Sequence, residues 1–238
     1  MNSEIKKICD EIVEQNKQDA NVLGIMVFGS AARNKFDEYS DIDIYILLQK
    51  KRKYSRLNFL KNKYRVDIII DSMKEAKAYL KEDKNNVRRN TSHMLAHGII
   101  IYQKNKDLEK IKQIAQKNLK LKTKHKQSEI LMHKYSIDDF LGEARRDARN
   151  NDYLAFGLDS QLLVNNIIEL FLKLKGEFFR QPNEMSGILK KLDKKFCRLT
   201  ENFYRAEKMR IKEKILIKLT NYIYKKSKGP LPKQWRIK

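Results

Sequence analysis

VLGIMVFGSAARNKFDEYSDIDIYILL, residues Val22 to Leu48, is the stretch from which the rest of the chain is read. An apolar run from Val22 to Phe28 turns sharply at Gly29-Ser30, and ten residues later Asp41-Ile42-Asp43 opens a second apolar run. The pattern predicts a strand, a turn, a short helix and a second strand. Side chains alternate across a strand, so Asp41 and Asp43 share one face while Ile42 and Ile44 take the other. Two neighbouring carboxylates repel and have no local partner; a hard divalent cation such as Mg2+, which prefers oxygen ligands, makes such a pair tolerable. Gly29 permits close approach of the backbone to a ligand, and Ser30 offers a hydroxyl and an N–H at the head of a helix, which suits phosphate.

A second acidic strand follows. In Arg65 to Ile70, RVDIII, alternation puts Val66 and Ile68 on one face and Asp67 on the other. An Asp inside an otherwise apolar strand is costly unless something pairs with it.

Gly29-Ser30, ten residues and Asp41-x-Asp43, with the small Ala31 and Ala32, then Arg33, and Ser40 directly before the first Asp, resembles the signature of the nucleotidyltransferase superfamily. The fold so implied is polymerase-beta-like, and the likeness is greatest to the minimal and antibiotic-modifying branches. The resemblance implies that Asp41, Asp43 and Asp67, the last at the place of the family's third carboxylate, bind metal and carry catalysis. It implies further that Gly29, Ser30, Arg33 and Ser40 serve the nucleotide, that Mg2+ is the cofactor, and that the co-substrate is a nucleoside triphosphate, with ATP the expected one. The implied reaction moves a nucleoside monophosphate to an acceptor hydroxyl and releases pyrophosphate.

The remaining chain supplies the frame. Ile5, Ile8, Cys9, Ile12 and Val13 recur at helical spacing and form a stripe that packs on a sheet. Gln49 to Tyr54, QKKRKY, reads as a basic turn, either a solvated loop or a contact to triphosphate. Ser72-Met73-Lys74-Glu75 reads as a capping box opening a helix to about Lys81, a further helix covers Asn86 to Ala96 with Gly98 as its cap, and Ile99 to Tyr102 is another strand. His93 and His97 are four apart, without the Glu of a zinc-protease helix, and read as ordinary helix-face histidines. Arg88 and His93 also resemble the Rx4-6H motif of HEPN ribonucleases, here placed outside a helical bundle.

From Asp107 to Lys126 a lysine-dense helix with a thin stripe of Leu108, Ile111, Ile114 and Ala115 reads as a linker. Everything after Ser128 is helical: a segment ending at Asn150-Asn151-Asp152, the apolar helix Tyr153 to Lys175 closed by Gly176, a loop around Pro182, and helices over Glu184 to Asp193 and Phe196 to Tyr224. Four such helices make a bundle. The expected class is α+β, with a nucleotidyltransferase domain over residues 1–105, a basic linker helix over 106–127, a helical bundle over 128–228 and an irregular basic tail over 229–238.

Composition bounds the setting. Two cysteines without clustered spacing indicate a reducing compartment with no disulfide or zinc. Met1 to Asp10 is too charged for a secretory core, and no apolar run is long enough to span a bilayer, so the expected location is cytoplasmic with no membrane partner. The net charge of +22 attracts polyanions such as triphosphates or RNA, or else reflects the chain's lysine- and asparagine-rich composition. Three acceptor readings follow. The first is a small hydroxylated molecule such as an antibiotic, with Glu143 on a bundle helix read as a solvated surface acid or a general base, and Arg145, Arg146 and Arg149 as contacts to a triphosphate or partners of Asp147 and Asp152. The second is a protein hydroxyl, as in AMPylating antitoxin-type enzymes. The third is a non-catalytic RNA-binding module, disfavoured because no RNA-reading motif is present.

Overall fold

A computed structural model of the chain describes residues 3–33 and 35–237. The first two residues of the expected first domain, one residue of the spacer between Ser30 and Asp41, and the last residue of the tail lie outside these. The chain divides into two compact units, residues 1–84 with 89–121 and residues 85–88 with 122–238.

The first unit is a mixed sheet with helices on both faces. Its elements in order are α1 (Ser3–Asn16), β1 (Val22–Phe28), α2 (Gly29–Ala32), β2 (Ile42–Leu48), β3 (Arg56–Lys61), β4 (Tyr64–Ser72), α3 (Met73–Asp83), α4 (Asn90–His97), β5 (Ile99–Gln103) and α5 (Asp107–Lys120). The strand order is β3-β4-β2-β1-β5, with β2 and β4 parallel and the other neighbours antiparallel. The two-residue period sorts the side chains. Ile42, Ile44, Ile46 and Leu48 join Val66, Ile68 and Ile70 on one face, covered by Ile5, Ile8, Cys9 and Ile12 of α1. Tyr45 and Leu47 join Leu23 and Met26 on the other, covered by Ala76 and Leu80 of α3, Leu95 and Ala96 of α4, and Leu108, Ile111 and Ala115 of α5. Burying each of the larger aliphatic side chains contributes roughly 1.5–3 kcal/mol, which is what sets the register of β2.

Local signals explain several boundaries. Ser72 caps α3, its hydroxyl accepting from the Glu75 N–H at 3.3 Å while the Glu75 carboxylate accepts from the Ser72 N–H at 3.0 Å. Lys51 pairs with the same Glu75 at 2.5 Å, and Arg52 with Asp19, so two cations of the basic turn are engaged in holding the unit together. The lysine bridge, with the capping bonds from Ser72, pulls the Glu75 carboxyl down to about 2. The long basic linker helix is not observed as such. α5 stops at Lys120, and Leu108, Ile111 and Ala115 are wholly buried in the first unit's core. A stripe that thin suffices because the sheet supplies the opposing surface. The carbonyls of Asn118 and Leu121 at the end of α5 accept from the guanidinium of Arg89, 1% exposed, where a cation also opposes the helix dipole.

β3 has no counterpart in the sequence reading. Its residues are exposed at almost every position, and the short alternation Arg56-Leu57-Asn58-Phe59 is broken by Leu60. It is held by its antiparallel ladder to β4, closed through Asn62, whose φ of 55° is the left-handed conformation that Asn tolerates in tight hairpins.

The second unit comprises α6 (Gln127–Asn150), α7 (Tyr153–Lys175), α8 (Pro182–Leu192), α9 (Lys194–Arg205) and α10 (Met209–Lys226). Asp152 caps α7, accepting from the Ala155 N–H, and Gly176 ends it at φ 70°. Pro182 does not interrupt a loop; it occupies the first turn of α8, where its missing N–H costs nothing. The expected helix over Phe196 to Tyr224 is two helices broken at Ala206, whose ψ of 134° is extended. Phe196 stacks on Phe171 with centroids 3.9 Å apart, and Phe203, Leu216 and Leu219 share their core. A straight helix of that length would carry half of these side chains away from it. Residues 85–88 belong here too: Val87 is buried in the bundle core, and its carbonyl accepts from the Phe179 N–H at 2.8 Å. After α10 the chain is irregular, tied by Lys134, whose ammonium donates to the Ser227 carbonyl at 2.9 Å. Cys9 and Cys197 are free and buried. Among the described residues no helix is long and apolar enough to cross a membrane.

Candidate active site

The site begins with the turn from β1 into α2. Gly29 has φ +67°, a conformation that L side chains rarely adopt, and a Cβ there would lie 1.9 Å from Asp43 Oδ2. The glycine is therefore required twice, by its own backbone and by the carboxylate packed against it. Arg33 donates from Nε to the Gly29 carbonyl at 3.1 Å and closes the turn. Ser40 donates to the Asp37 carboxylate at 2.7 Å and organises the loop that delivers Asp41 to the head of β2.

Asp43 lies on the face of β2 shared with Tyr45 and Leu47, and Asp67 lies directly beside it in the parallel ladder between β2 and β4. Paired residues on adjacent strands stand about 5 Å apart. Burial, then the charges of Asp67 and Asp41, push the Asp43 carboxyl up to about 6, while Arg56 and Arg33 oppose the rise. Asp67 is 5% exposed and moves the other way: the hydrogen bonds of Arg56 hold its carboxyl below the usual range against the effect of burial. Arg56, from β3, donates from Nε to Oδ1 at 2.7 Å and from Nη2 to Oδ2 at 2.5 Å. Asn58, opposite Asp67 across β3 and β4, adds a further hydrogen bond.

The structure thus brings Gly29, Asp43 and Asp67 together, with Asp41 near enough for its charge to act on Asp43. Ser30 is at the start of α2, its carbonyl accepting from the N–H groups of Arg33 and Lys35. Asp43 carries excess negative charge in a half-buried, oxygen-rich place, a donor set that fits a hard divalent cation. As arranged, though, no three acidic, histidine or cysteine side chains among the described residues are gathered closely enough to hold an ion together. Asp67 is committed to Arg56 instead. Arg56 was not legible beforehand, because nothing in the sequence marked β3 as the strand beside Asp67.

The other candidates have contacts of their own. Glu143 pairs with Arg146 at 2.5 Å on α6, and Arg149 donates to the Arg145 carbonyl. His93 and His97 stack at 5.7 Å on α4. Arg88 belongs to the second unit, where it lies over the Phe179 ring at 4.4 Å and pairs with Glu169 at 3.6 Å.

Comparison with known proteins agrees with this geometry. Residues 9–107 match the family described as polymerase beta, nucleotidyltransferase, a span that runs from α1 through β5. Over that span the chain is similar to a nucleotidyltransferase domain. Among solved structures, the nucleotidyltransferase-like protein from Exiguobacterium sibiricum 255-15 superposes with a TM-score of 0.53 over 92% of this chain and 74% of that one, at 12% identity, a likeness of fold. No curated protein matches the chain.

Proposed function

We propose that the protein is a Mg2+-dependent nucleotidyltransferase that moves a nucleoside monophosphate from a triphosphate, ATP by expectation, to a hydroxyl of a small acceptor such as an antibiotic. The observation that carries this reading is the packing of Asp43 against the Gly29 turn with Asp67 alongside on the next strand. In this reading the Gly29-Ser30 turn receives the phosphates, Asp41 and Asp43 hold the cation, and Asp67 accepts the proton of the acceptor hydroxyl. The acceptor oxygen forms a bond to the α-phosphorus, the bond between that phosphorus and the bridging oxygen breaks, and pyrophosphate leaves with the electron pair. A divalent cation bound there would neutralise charge on the attacking and leaving oxygens.

Charge bears on the acceptor. A chain of net charge +22 is a poor electrostatic match for a polycationic acceptor. A neutral or weakly charged small acceptor fits that field better than a polycation. The test is incubation with Mg2+, each labelled NTP, and panels of antibiotics, proteins and RNA. Label on a small molecule supports the reading; label on protein or RNA replaces the acceptor; no transfer beyond an Asp43→Asn control overturns it.

A further inference from the structure

β3 is an edge strand of the sheet, and its Arg56 reaches from solvent into the cluster. The guanidinium side chain is 67% exposed while the carboxylate it grips is 7% exposed. Both oxygens of Asp67 are used, one by Nε and one by Nη2, in the fork geometry that makes such pairs strong and directional. A carboxylate held in this way is a poor proton acceptor, and a divalent cation approaching it meets a fixed positive charge. A further fact defines the role. Arg56 is anchored on an exposed strand, so it can leave without exposing any core.

We propose that Arg56 is a latch on the third carboxylate: it neutralises Asp67 in the resting protein, and a divalent cation entering beside Asp43 must displace it before Asp67 is free to act. Arg56 is then a positioning residue, acting through Asp67, and it couples metal entry to assembly of the acidic site. The inference rests on the nucleotidyltransferase reading of Asp41, Asp43 and Asp67.

Direct Mn2+ titration followed by electron paramagnetic resonance tests it without any acceptor or turnover. Arg56→Ala should bind Mn2+ about tenfold more tightly than the unsubstituted chain, the loss of one charge-assisted bidentate competitor. Arg65, exposed and two residues before Asp67, is the control for charge alone, and Arg65→Ala should change affinity by no more than about threefold, the scale of an exposed charge. Arg56→Lys keeps the charge without the fork and should fall between, and it carries the test if the alanine variant does not fold. In an Asp67→Asn background, replacing Arg56 should give no more than the Arg65 effect. Equal affinity in Arg56→Ala and the unsubstituted chain, or a gain that survives in Asp67→Asn, overturns the latch. Mn2+ binding that is lost in Asp43→Asn sustains the nucleotidyltransferase reading in either case, and absence of Mn2+ binding in every variant overturns both.

Discussion

Gly29→Ala is the substitution that probes the site most directly, because it acts on geometry alone. The added Cβ would lie 1.9 Å from Asp43 Oδ2, 2.9 Å from its Cγ and 3.3 Å from its Cβ, so the carboxylate has to rotate away. Holding alanine at φ +67° costs about 1–2 kcal/mol, and an off-rotamer Asp43 about 1 kcal/mol more. Part is returned, since moving Asp43 from Asp67 and Asp41 relaxes the repulsion that raises its pKa. The net expectation is a loss of about 1–2 kcal/mol, or roughly 5–10 °C in the melting of a unit of this size. Mn2+ binding should fall at least about tenfold, because a metal ligand misplaced by an ångström no longer closes its coordination. The two effects separate in a double-mutant cycle. With Asp43→Ala already present the clash with the carboxylate is gone, and Gly29→Ala should cost only the backbone strain, about 1–2 kcal/mol, with no further loss of metal binding. Calorimetric melting and metal titration of the four proteins decide the matter. Unchanged melting and metal binding in Gly29→Ala would refute the view that this glycine exists for Asp43.

The raised Asp43 pKa has a sign that can be checked: its folded value of about 6 lies above the ordinary 3.8, so its charge costs stability above pH 6 and the cost fades as pH falls toward 4. Asp71 and Asp83 shift the same way through burial while burial lowers His133 and acts in the opposite sense, so the Asp43 contribution is isolated by Asp43→Asn, which should gain about 1–2 kcal/mol at pH 7 and little near pH 4, read by melting in EDTA. The same variant, like Asp41→Asn, should abolish transfer while circular dichroism stays unchanged. Arg89→Ala should destabilise the first unit by about 3 kcal/mol, since it empties a buried site and strips the carbonyls of Asn118 and Leu121, measured by urea denaturation. Acceptor affinity should depend only mildly on salt; a loss of about 1,000-fold or more between 50 and 200 mM would mark a polyphosphate acceptor such as RNA.

Sequence alone determined those features in which neighbours along the chain supply their own physics. The strand–turn–strand from Val22 to Leu48 is written in alternation and a glycine, the start of α3 in a capping box that closes over four residues, and the limits of α7 in Asp152 and Gly176. The match over residues 9–107 includes that strand–turn–strand. Tertiary structure alone decided what depends on distant partners. β3 is a strand only because β4 offers a ladder, since its own residues bury almost nothing. The break at Ala206 carries no Gly or Pro and follows from the need to keep Phe203 and Leu216 in one core. Residues 85–88 join the bundle because Val87 finds its apolar contacts there. The two contacts that define the site, Gly29 on Asp43 and Arg56 on Asp67, arise from strand order and register, and side chains that meet across a sheet leave no periodic trace in either strand.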